Sequence, residues 1–145
     1  VAPLHGPNIA RASNGDTIEI TGEGTMKAFP NSITGGGAFV HKDKDGNVLG
    51  NGTWAAESLL RFIPFGNGVP QGFPENFEGG RAYFKVHLTP DSGGPGFDGV
   101  MVIECLLGQV PPGTAEGIRL NVKLGPGKFL NFYERIQGET VFIRL

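Results

Sequence analysis

GGGAFVHKDKDGNVLGNGTWAAESLLRF, residues 35–62, reads as two strands folded back on each other at Asp45-Gly46. Asp-Gly accepts the positive φ angles that a two-residue type I′ turn demands. Counting outward from that turn sets Lys44 opposite Asn47, Lys42 opposite Leu49, Val40 opposite Asn51, Ala38 opposite Thr53 and Gly37 opposite Trp54, so that the only tryptophan lies over a glycine. Strand side chains alternate between faces. Phe39, His41, Trp54, Ala56, Ser58, Leu60 and Phe62 then share one face, with Ala38, Val40, Thr53, Ala55, Glu57 and Arg61 on the other. WAAESLLRF, 54–62, contains good helix formers, but the preceding hairpin and the alternation make it strand.

Outward from this hairpin the pattern repeats. Thr17, Glu19 and Thr21 alternate against Ile18 and Ile20 within 16–26. Ala82, Phe84, Val86 and Leu88 alternate against Arg81, Tyr83, Lys85 and His87, while 100–107 (VMVIECLL) is apolar on both faces except at Glu104. Residues 118–124, 128–133 and 139–145 supply further short strands, and Pro/Gly-rich segments separate them. Residues 1–14 read as an extended N-terminal arm, and 63–80, with three phenylalanines, as a packed flap. The whole is a single all-β domain of about seven to eight strands. Glycines at 22, 24, 35, 37 and 52 are kink points of the kind a closing sheet needs, which favours a small antiparallel β-barrel over a β-sandwich. This hairpin-rich, glycine-kinked pattern resembles that of calycin-like small barrels, and the resemblance carries over no site residue.

The totals narrow the function. A net charge of −2 lacks the basic footprint of a nucleic-acid binder, and no window approaches the ~18 apolar residues of a membrane span. The chain is therefore expected to be soluble. A single cysteine, Cys105, rules out an intramolecular disulfide. The first residue is Val1 rather than methionine, which is compatible with a trimmed export signal, and Asn51-Gly52-Thr53 is a formal glycosylation sequon of a kind that also arises by chance.

Chemistry-bearing residues are few. Asp43-Lys44-Asp45-Gly46-Asn47 imitates the start of a calcium loop, but the position that should close the coordination shell is Trp54, so the turn reading prevails. His5, His41 and His87 show no paired metal-ligand spacing, and no metal or other cofactor is expected. Cys105 alternates with Met101, Ile103 and Leu107 and reads as a buried, inert thiol. Glu104 lies on the opposite face among Val100, Val102 and Leu106, where it must find Arg or Lys, reach solvent or have a raised pKa; it is the most suggestive acid in the chain. No nucleophile elbow, P-loop or dinucleotide fingerprint is present.

These features favour a non-catalytic binding and interaction protein that holds a small hydrophobic molecule inside the barrel. Phe39, His41, Trp54, Ser58, Leu60, Phe84 and Val86 are the expected lining, with His41 and Ser58 as polar handles. Apolar residues on the second face (Ala38, Val40, Ala55, Leu59, Val100, Val102 and Leu106) call for a cover, for which a second copy of the chain is the first candidate. The alternatives are a cofactor-independent isomerase or cyclase using Glu104 or His41, and a structural subunit of a larger assembly.

Overall fold

The computed structural model describes residues 7–28 and 30–144. They form nine strands: β1 (Asn8–Ala12), β2 (Thr17–Ala28), β3 (Asn31–Lys42), β4 (Val48–Asn67), β5 (Phe77–Pro90), β6 (Phe97–Cys105), β7 (Gly117–Gly125), β8 (Lys128–Gln137) and β9 (Phe142–Ile143). One 3-10 turn spans Val69–Gln71, and there is no α-helix among the described residues. All pairings are antiparallel. β1 to β8 pair in chain order and β8 returns to β1, so that one sheet closes on itself as a ring. β9 is appended at the start of β5, opposite Phe77 and Glu78. Closure leaves strands β1 to β8 partnered on both sides, the most complete way to remove an open sheet edge.

The ring has one apolar side, and it faces in. Ile18 and Ile20 of β2, Phe84, Val86 and Leu88 of β5, Met101 and Ile103 of β6, Ile118 and Leu120 of β7 and Phe132 of β8 are all buried there. The expected strand at 54–62 is part of β4, and Trp54 pairs with Gly37, which pairs in turn with Gly22. This row of two glycines is what admits the indole: its Nε1 reaches across β3 to donate to the Thr21 carbonyl at 2.9 Å. A Cβ on Gly22 would lie 2.6 Å from the ring, and one on Gly37 would overlap the Thr21 carbonyl.

The hairpin register holds over most of its length, through two deviations that cancel. The turn is not the two-residue form: Gly46 N–H donates to Asp43 O, Asp43 N–H donates to Asn47 O, and Gly46 alone takes a positive φ of 85°. The Asp43 carboxylate accepts from the Asp45 and Asn47 amides, which draws the loop one residue longer. Lys42 consequently pairs with Val48 rather than Leu49, and a bulge then restores the expected sum, with His41 opposite Gly50 and Val40 opposite Asn51.

Further along β4 the alternation breaks. Ala56 pairs with Val86 but Ser58 with Lys85, so Glu57 is an extra residue, and a second bulge at Leu60 reverses the effect. Between the two bulges the faces are exchanged: Leu59 is buried inside, whereas Ser58 and Leu60 point out. The expected flap over 63–80 is mostly strand, since residues 63–67 pair with 78–81 and only 68–76 remain as a connection. That connection is packed, with Phe73 stacked on Phe77 at 5.9 Å and Gln71 bonded twice to the backbone of Gly108.

Residues 8–12 of the expected arm are instead β1, the strand that closes the ring; residues 1–6, with His5, lie outside the described residues. The residues expected on a second apolar face divide. Leu59 turns inward, Val102 is 8% exposed, Val40 and Val100 are half-buried and Ala38 and Ala55 are small, while the bulge turns Leu60 outward at 45% exposure and Phe129 stays exposed on β8.

Candidate functional site

The middle of the ring is filled, and the free space lies at its two ends. At one end a cavity of about 550 Å³ is walled by Ile18, Phe39, Leu88, Val122 and Phe132, with the glycine-rich 92–97 segment and Leu49–Gly50 around its rim. That volume is within the range of small-molecule sites. The distinctive polar group in this wall is His41. Its Nε2 stands 2.8 Å from Asp16 Oδ2, and its ring meets the Phe132 ring edge-on at 5.6 Å. A carboxylate only accepts, so Nε2 carries the proton, and in the neutral ring Nδ1 is left as an acceptor. Asp16 is 15% exposed and His41 26%, so the pair is half withdrawn from water.

At the other end lie a void of about 40 Å³ beside Trp54 and Phe84, and a groove of about 700 Å³ between Met26, Ile33, Leu59, Phe62 and Phe142. The groove is larger but its rim carries Lys27 and an ion pair between Arg144 and Glu78, with Arg144 58% exposed. It has no oriented buried polar group comparable to His41.

The expected lining residues therefore separate. Phe39 and His41 line the first cavity, Trp54 and Phe84 reach only the small void, and Val86 is packed in the core between them. Ser58 and Leu60 are outside the ring, the latter 45% exposed.

Glu104 is on the outer side of the ring, remote from either cavity wall, and 1% exposed. Three guanidinium groups surround it: Arg81 Nε at 2.8 Å from Oε2, Arg135 Nη1 at 3.0 Å and Arg119 Nε at 3.3 Å from Oε1. Arg81 sits directly opposite Glu104 in the β5–β6 ladder. Its position is fixed further by a bond from Nη2 to Thr114 and by stacking over Phe65. Next along the strand, burial pushes the Cys105 thiol up to about 11, so it is protonated at neutral pH.

A third cluster joins His87, Asp98 and Glu57 on the outer face, their ligating atoms all within 4.8 Å of one another. His87 Nδ1 contacts Asp98 at 2.9 Å while Nε2 contacts the Pro95 carbonyl at 2.8 Å. Both partners are acceptors, so the arrangement suits the doubly protonated ring, and Asp98 raises the His87 pKa above its ordinary value. The same imidazole thus tethers the 92–97 segment that rims the first cavity.

Sequence reasoning missed Asp16, Arg119 and Arg135. Asp16 was within reach, because pairing Ile18 with His41 in the β2–β3 ladder brings the residue two positions earlier to the histidine. Arg135 was not, since it lies beyond the expected strand at 128–133, between two register shifts in the β1–β8 pairing. Compared with protein-family models, with curated proteins and with solved structures, the chain matches none.

Proposed function

We propose that the closed ring is a small antiparallel β-barrel, and that the protein binds a small, largely apolar molecule bearing one hydrogen-bonding group in the mouth beside His41. The observation that carries this reading is the cavity of about 550 Å³ whose largely apolar wall includes His41, a polar group oriented by its bond to Asp16. Barrels of about eight strands either fill their interior with side chains or enclose one small ligand, and here the filling stops short of one mouth. The ligand's apolar body would replace water against Ile18, Phe39 and Phe132, and its hydroxyl or amide would donate to the Nδ1 of His41.

A second reading, a cofactor-independent isomerase or cyclase, is favoured by the same pair. A histidine oriented by a carboxylate in an apolar cavity is a general base as well as a binding handle. Turnover of a bound molecule separates the two.

Gly50 gives the test. It lines the cavity, and a Cβ there would meet nothing within 4 Å. Gly50→Phe should fill the mouth without disturbing the sheet. The neutral probe N-phenyl-1-naphthylamine is expected to brighten on binding the native protein, and to do so at least tenfold less with the variant at unchanged melting temperature. Equal brightening in both proteins would refute the mouth as the binding site.

A further inference from the structure

We infer that the outer face of the ring at Glu104 is a binding site for a phosphate-like oxyanion, held by Arg119 and Arg135. Three guanidinium groups within 3.3 Å of a single carboxylate leave an excess of two positive charges in a partly buried cluster. The acceptor supply falls short as well. Arg81 takes Oε2 and Thr114, and is satisfied. Arg119 and Arg135 share Oε1 at ion-pair distance, but neither contact is aligned as a hydrogen bond. Arg119 Nε and both Nε and Nη1 of Arg135 are shut off from water with no aligned acceptor, and Oε1 of Glu104, the one oxygen facing them, is likewise without an aligned donor, so three donors converge on a single oxygen.

Buried donors without aligned acceptors and a buried charge excess are each costly, and a bound anion is one way to offset both. The neighbouring groups do not supply it. From the covering segment, Glu116 accepts from the Leu106 amide, and Tyr83 lies beside Arg81. Burial, together with Arg119 and Arg81, works against the charge on Arg135, and Glu104 alone offsets it.

The site is reachable. Arg119 is 34% exposed and Arg135 15%, so the outer edges of both forks meet solvent. A tetrahedral dianion matches the two surplus charges, and its oxygens suit the planar donor pairs of guanidinium groups. The carboxylate beneath is then a positioning group: it holds the arginines side by side in the absence of the anion. The site lies outside the barrel mouth and is independent of the ligand proposed there.

Isothermal titration with inorganic phosphate and with phenyl phosphate, at constant ionic strength set by chloride, tests the proposal. Saturable binding in the millimolar range or tighter is expected, with a rise in melting temperature of about 5 °C at ten times the dissociation constant. Binding of both compounds identifies a phosphate group, and binding of inorganic phosphate alone a free anion. Arg119→Gln removes the most exposed fork and should abolish the effect. On the unmodified protein, phosphate should move the Nε–Hε resonances of Arg119 and Arg135 and leave that of Arg61 in place. No binding, or a rise that never saturates and is equal in Arg119→Gln, as general ion exclusion produces, would overturn the proposal.

Discussion

Replacing Glu104 by Gln keeps the shape of the side chain and removes the one negative charge facing three arginines. In the native protein Glu104 is 1% exposed and contacts Arg81 at 2.8 Å, Arg135 at 3.0 Å and Arg119 at 3.3 Å. Removing one partner of a buried ion pair costs about 3–5 kcal/mol, because the remaining charge is left uncompensated. Here three like charges remain, and an amide in place of the carboxylate also turns one donor toward other donors. A loss of about 4 kcal/mol is expected. At roughly 2.1 cal/mol/K of unfolding entropy per residue, the 145-residue chain has about 0.3 kcal/mol/K, so the melting temperature should fall by about 13 °C. The assay is thermal unfolding followed by circular dichroism at pH 7, repeated at high salt, where a buried interaction persists. A fall of less than about 3 °C would mean that the carboxylate is not the counter-charge of the cluster and would refute the reasoning.

Gly37→Ala puts a methyl group against the Thr21 carbonyl and 2.6 Å from the Gly22 Cα, and should lose about 3 kcal/mol in urea unfolding; Gly50→Ala, whose Cβ meets nothing, should stay within about 1 kcal/mol. Asp98 and the Pro95 carbonyl favour the protonated form of His87, so its folded pKa is raised above 6.5. A raised pKa contributes stability that is complete below the unfolded value and is lost as pH rises through the folded one. Stability should therefore decline above about pH 6.5 in the native protein, and that decline should be smaller in His87→Gln; an identical pH profile in both would exclude the histidine as its source.

The strands were legible wherever an inward row keeps its period. Ala82, Phe84, Val86 and Leu88 alternate without interruption, and the row is buried throughout. The Trp54–Gly37 pairing could be counted from the turn, although the turn itself was one residue longer and a bulge gave the residue back. Bulges are where the reading failed. The insertion at Glu57 exchanges the faces of Ser58 and Leu59, and no local residue type announces it, since glutamate is not a turn former. The candidate site was half legible for a related reason. His41 and Phe39 follow from strand parity, whereas the cavity exists because the 92–97 segment folds over the mouth, a contact made through His87 and Pro95 that no periodicity encodes.

Solution NMR on isotopically labelled protein saturated with N-phenyl-1-naphthylamine tests the binding account most directly. Intermolecular Overhauser contacts should run from the probe to the methyl groups of Ile18 and Leu88 and to the rings of Phe39, His41 and Phe132. Contacts confined to Met26, Ile33 and Phe142 at the far end, or to outer-face side chains such as Phe129, would contradict it.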